Sequence, residues 1–243
     1  MIVSPVKALL VMMLALLPCV DAVAGVVING TRVIYPAQAR EVTVQVTNDG
    51  QAPSLVQAWI DNGDPEQTPE NSDAPFVLTP PIARVEPGRS QALRLIFSGA
   101  DLPTDRESLF WLNVLDVPPT PEQAGDEDQN FLQVAFRSRL KVFYRPKDLQ
   151  GQANEAPAAL RWSRTGERLR VENPTGFHVT LVEVHAVSGS TEKMIDDKGK
   201  MVLPRQSLEF TVPASTDAVR FSSINDYGGR AEHTLRVSSG NSN

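Results

Sequence analysis

Apolar and polar residues alternate strictly along several short stretches of the chain. Val42, Val44 and Val46 stand out of EVTVQVTN, Leu93, Leu95 and Phe97 out of QALRLIFS, and Phe110, Leu112 and Val114 out of LFWLNVLD. Leu55–Ile60 reads as a further strand. Period-2 alternation is the signature of a strand with one buried face. Turn residues separate these segments: Asn48-Asp49-Gly50, Asp61-Asn62-Gly63-Asp64-Pro65 and Glu86-Pro87-Gly88. A second alternating set follows, with Leu169 and Val171, Val179 and Leu181, Leu208, Phe210 and Val212, and Leu235 and Val237. It is punctuated by Asn173-Pro174-Thr175-Gly176 and Asp197-Lys198-Gly199. No stretch sustains a 3.6-residue period. Short strands at this spacing predict an all-β chain of sandwiches.

Between the two sets lies FLQVAFRSRLKVFYRP, residues 131–146. Of its even positions, Leu132, Val134, Phe136, Leu140, Val142 and Tyr144 are apolar and only Ser138 is not; Arg137, Arg139 and Lys141 occupy odd ones. As one strand of about fourteen residues this would extend roughly 46 Å, more than a domain of this size can cover. Two explanations fit: a bent strand that buries its whole face, or an apolar row left uncovered for a partner. Exposed edges invite association and are normally blunted. Lys141 near its end needs a counterion if it faces a cleft between domains. Residues 119–130 form a polar loop before the strand, and 147–155 read as a linker between domains at 25–146 and 156–243.

Composition narrows the setting. A basic start at Lys7, an apolar run Ala8–Leu17 and Ala22-Val23-Ala24 read as a secretory signal peptide over residues 1–24, cleaved after Ala24. This predicts an exported protein. Cys19 is the only cysteine and falls in the removed segment, so burial alone must stabilise the mature chain. The net charge is −6, and loss of Lys7 and Asp21 leaves it unchanged, which argues against nucleic acid as a partner. His178, His185 and His233 lack zinc-site spacing, although Glu183 and His185 could share a strand face. Asp126-Glu127-Asp128 lacks the spacing of a calcium loop. No nucleophile elbow, phosphate loop or dinucleotide fingerprint is present. The reading is therefore a non-enzyme without metal, cofactor or small-molecule substrate.

Six short segments, in this order, carry a resemblance to a known family: Thr31-Arg32, Asp105-Arg106-Glu107-Ser108, FWLNVLDVPP at 110–119, LKVFYRP at 140–146, Glu172-Asn173-Pro174-Thr175, and Ile224-Asn225-Asp226-Tyr227-Gly228-Gly229. Together they resemble the PapD-like periplasmic chaperones of the chaperone–usher pilus pathway. The resemblance implies two immunoglobulin-like β-sandwich domains in an L-shaped arrangement with a cleft between them. It implies that Arg32 and Lys141 bind the C-terminal carboxylate of a pilus subunit. It implies that Leu132, Val134 and Phe136 fill a groove in that subunit, and that Glu107, Arg145 and Asp226 form an interdomain ionic network. Pilus subunits and an outer-membrane usher are the implied partners, and the exposed edge gives the free protein a route to a self-dimer. The polar loop is longer than in the short-loop branch of the family, yet the cysteine pair of the long-loop branch is missing, which favours the short-loop branch. The competing reading is a secreted structural or adhesive sandwich built into a surface fibre.

Overall fold

The computed structural model describes residues 25–120 and 132–239. The signal segment 1–24 and most of the 119–130 loop, with its Asp126-Glu127-Asp128 run, lie outside the described residues.

The first core closes between two sheets. In one, β1 (Val26–Ile28), β3 (Val42–Asn48), β7 (Ser90–Phe97) and β5 (Phe76–Thr79) pair in that order. In the other the order is β2 (Arg32–Pro36), β9 (Phe136–Arg145), β8 (Ser108–Val117), β4 (Ser54–Asp61) and β6 (Ile82–Val85). The alternating residues named above supply the filling: Val44, Val46, Leu93, Leu95, Phe110, Leu112, Val114, Leu140 and Val142 are all buried. Asn48 fixes the first predicted turn. Its amide donates to the carbonyls of Ala52 and Val85, and its Oδ1 accepts the N–H of Gly50, so a buried polar side chain satisfies backbone groups that the turn would strand.

β1 and β2 are one stretch of chain divided between the sheets. β1 lies antiparallel to β3, whereas β2 lies parallel to β9. The crossing takes only Asn29-Gly30-Thr31, and Gly30 has φ 105°, a conformation that a side chain disfavours. Consequently β2 begins at Arg32, opposite Lys141, and covers β9 only from Lys141 to Arg145.

The second core repeats the architecture. One sheet is β15 (Ser207–Thr211), β11 (Arg168–Glu172), β10 (Arg161–Thr165) and β18 (Ser238–Ser239). The other is β13 (Thr191–Asp196), β12 (Val179–Ser188), β16 (Ala218–Ile224) and β17 (Arg230–Arg236), with β14 (Lys200–Val202) also on β12. Trp162, Leu169, Val171, Leu181, Phe210 and Phe221 fill it. Within the 147–155 connection Leu149 and Ala153 pack on this core, and just beyond it residues Ala156–Ala159 form a 3-10 turn. The chain thus consists of two immunoglobulin-like sandwiches.

The long strand is shorter than its alternation suggests. Its ladder starts at Phe136, opposite Asp116, and residues 132–135 carry no strand pairing. The cause lies on the neighbour: β8 runs into Pro118-Pro119, which have no N–H to extend the ladder. The side chain of Gln133 donates instead to the carbonyl of Pro118 at 2.6 Å.

Candidate functional site: a bare strand edge ending at two cations

On the inward face of β9, Leu140 and Val142 are buried, while the row continues outward as Phe136, Val134 and Leu132, which are 67, 44 and 89% exposed. Val134 and Phe136 border an open cleft at the mouth of the sandwich, with Val26, Ile28, Val114 and Pro118 on its other walls. One edge of β9 is taken by β8 from Phe136 to Tyr144. The other is taken by β2 only from Lys141 onward. Among the described residues nothing pairs with that edge from Phe136 to Leu140, so the outward row and a run of unpaired backbone groups coincide.

The lane beside this edge is closed at one end by charge. Arg32 and Lys141 are direct neighbours in the parallel register, half-buried on the outer face of the sheet. Arg32 donates through Nη1 to the carbonyl of Ile224 at 3.1 Å, but its Nε is buried and meets no acceptor among the described residues. Burial pushes the Arg32 guanidinium below its ordinary pKa, against the more distant charges of Asp226 and Glu107. Burial, and then the charge of Arg32, push the Lys141 ammonium down as well. Two cations forced together with an unmet donor describe a site for an anion.

Below the pair the two domains are riveted. Arg145 donates through Nε to Glu107 at 2.7 Å, and through Nη1 and Nη2 to the two oxygens of Asp226 at 2.7 and 2.9 Å. Burial disfavours its charge, yet Asp226 and Glu107 outweigh this and hold it above the usual arginine value. Glu107 is nearly buried. Its second oxygen accepts the N–H of His178 at 2.8 Å and faces His178 Nδ1 at 3.1 Å. His178 also packs on Phe143, with ring centroids 5.3 Å apart. A Cβ on Gly228 would stand 2.5 Å from Thr31 Oγ1, so only glycine lets the second domain approach the crossover so closely.

Sequence reasoning did not assign roles to His178 or to a second network on the same sheet face. Asp61 on β4 is fully buried. It accepts from Arg139 through both carboxylate oxygens and from Asn113 Nδ2 at 2.7 Å. Asn113 Oδ1 in turn accepts Nε and Nη2 of Arg137 at 2.9 and 2.7 Å. Arg137 stacks over Trp59 and Arg139 over Trp111. The alternation of Arg137, Arg139 and Lys141 was visible, but nothing local announces a buried aspartate two strands away. Glu183 and His185 do lie within 3.7 Å of each other; among the described residues no group of metal-binding side chains assembles.

Burial opposes ionisation of Asp61, but hydrogen bonds from Arg139, Asn113 and the Gly63 N–H, with the Arg139 charge, hold its carboxyl below the usual range. A depressed folded value means that this stabilisation is whole above the unfolded value, about pH 4, and is lost as pH falls towards the folded one. Denaturant titrations should therefore show wild type losing stability below about pH 4 more steeply than Asp61→Asn; parallel curves would refute the assignment.

Comparison with known proteins places this geometry in a family. Residues 25–150 match the pili and flagellar-assembly chaperone PapD N-terminal domain, and residues 155–235 match the pili assembly chaperone PapD C-terminal domain. The chain belongs to this family of pilus-assembly chaperones, which is not a family of enzymes. It is 45% identical over 214 residues to the chaperone protein FimB/FhaD of Bordetella pertussis, covering 85% of each chain. The crystal structure of the Pseudomonas aeruginosa CupB2 chaperone superposes with a TM-score of 0.75 at 39% identity, over 87% of this chain and all of that one. The Salmonella enterica SafB chaperone, solved in complex with the SafA pilin, superposes at 0.72 with 32% identity, over 89% of this chain and 97% of that one.

Proposed function

We propose that this chain is a periplasmic chaperone that captures pilus subunits by lending them a strand, and hands them to an outer-membrane usher. The observation that carries the reading is the vacant lane. A guest strand laid parallel to β9 in line with β2 would end where β2 begins. Its terminal carboxylate would then fall against Arg32 and Lys141, within reach of charge-assisted bonds from both. Strand addition to a sheet edge supplies main-chain hydrogen bonds, and alternate side chains supply the contacts that discriminate.

Each role follows from position. Leu132, Val134 and Phe136 enter the uncovered core of a pilus subunit that lacks a strand, each contributing about 1.5–3 kcal/mol if fully buried. Arg32 and Lys141 fix the register, since a one-residue slip would turn every guest side chain to the wrong face. Glu107, Arg145 and Asp226 keep the domain at 156–243 against the domain at 25–146 across the 147–155 connection. Residues 1–24 direct export.

Co-purification from periplasmic extract tests the reading. Pilus subunits should be recovered with the tagged chain and identified by mass spectrometry, while assembled fibres should lack it. Stoichiometric presence of the chain in purified fibres would instead establish the structural or adhesive alternative.

A further inference from the structure

Three cations share the outer face of β9 at two-residue spacing: Arg137, Arg139 and Lys141. This creates a problem of register that the donor-strand reading does not resolve. A one-residue slip of a guest strand is forbidden by its side-chain alternation, but a two-residue slip preserves every face. A guest carboxylate that missed Lys141 by two positions would arrive level with Arg139, and by four, level with Arg137. Some feature must make these arginines poor anchors.

The geometry withdraws both of them. Arg139 is level with Asn113 on β8, yet its guanidinium lies 4.6 Å from the ring centroid of Trp111 and grips Asp61, which is itself opposite Trp111. Arg137 is level with Leu115, yet its guanidinium lies 4.8 Å from the ring centroid of Trp59 and binds Asn113 Oδ1 and the carbonyl of Pro65. Each side chain therefore leans across β8 towards β4, away from the open lane. The Asp61 carboxylate matches the guanidinium fork of Arg139 in bidentate fashion, the strongest pairing available to an arginine. Lys141 also lies over Trp111, its Nζ 5.6 Å from the ring centroid, but no carboxylate among the described residues grips it, and its neighbour on β2 is the cation Arg32.

Building on the donor-strand reading, we propose that Asp61 is a register-setting residue: by holding Arg139 across the sheet, it leaves Arg32 and Lys141 as the sole anchor for the guest carboxylate. It touches no guest atom and acts as a positioning residue through Arg139.

The test uses the full mature chain and three synthetic peptides. The first alternates alanine with polar residues except for one large apolar residue set to fill the cleft beside Phe136, so that sliding by two positions empties the cleft; it is long enough to run beside residues 132–141 and ends in a free carboxylate. The second lacks its last two residues, and the third is the first with an amidated end. Wild type should bind the first about a hundredfold more tightly than either of the others. In Asp61→Asn the shortened peptide should gain, so that the preference over it falls to about tenfold or less, because its carboxylate now meets an uncommitted Arg139. The double variant Asp61→Asn/Arg139→Gln should restore the wild-type preference. A merely structural Asp61 would weaken the two free-acid peptides equally and leave their ratio unchanged, which overturns the proposal. Should Asp61→Asn fail to fold, Arg139→Lys is the second probe. An ammonium cannot span both carboxylate oxygens, so the preference should fall here too, and an unchanged ratio again overturns the proposal. If amidation costs wild type nothing, the carboxylate anchor itself is refuted and the register role with it.

Discussion

Lys141→Ala should weaken the capture of pilus subunits by about 2–5 kcal/mol, roughly 30- to 5,000-fold, while the protein unfolds at an undiminished denaturant concentration. The two effects separate because Lys141 is costly to the empty protein. Its ammonium is half-buried beside Arg32, and both burial and that neighbour push its pKa down. Removing one of two crowded like charges relieves the fold and disarms the site. Arg32→Ala should weaken capture comparably, but with a cost to stability, since Arg32 also ties the first domain to the Ile224 carbonyl of the second. Urea denaturation decides the matter when it is set beside the affinity for a peptide copied from the carboxyl end of a pilus subunit, both measured on the same preparations. Full affinity in a folded Lys141→Ala protein would eliminate the carboxylate anchor.

Phe136→Asp should abolish capture altogether. Phe136 is 67% exposed in the unoccupied protein, so a charged residue there costs the fold little. In the complex the same position enters an apolar groove. The loss is the burial of a large side chain, about 1.5–3 kcal/mol, together with the desolvation of a carboxylate; the sum exceeds a thousandfold in affinity. Leu140→Asp is the informative contrast. Leu140 belongs to the same alternating row but is only 7% exposed and lies in the protein's own core, so aspartate there should prevent folding. A folded Phe136→Asp chain that still retains pilus subunits would show that this row is not the donated one.

The sandwich strands were legible where one face is buried and the other wet, as in Val42–Asn48 and Ser90–Phe97. They were illegible where that contrast fails. β16, AVRFSSI, alternates only as far as Phe221 and then buries Ser222 and Ser223 as well, so its pattern breaks midway. β13, TEKMID, is exposed or only partly covered along its length. The overlong row at 131–146 was visible, but its division into a laddered half and an unpaired half depends on Pro118-Pro119 of the neighbouring strand, which the alternation does not report. The adjacency of Arg32 and Lys141 depends on a parallel pairing between the two ends of the first domain. No local pattern encodes that pairing, so only resemblance could bring the two residues together. The Asp61 network depends on three strands at once and stayed hidden for the same reason.

The crossover at Asn29-Gly30-Thr31 has one more consequence. Because a single segment serves both sheets, β1 cannot extend β2 into the vacant lane without leaving its place beside β3 in the opposite layer. Self-closure is thereby discouraged by architecture rather than by a lid. On the donor-strand reading, a client whose sandwich is already complete offers neither a matching gap nor an uncovered interior. The chaperone would then tell unfinished clients from finished ones by their state of completion, with no need to recognise a particular sequence.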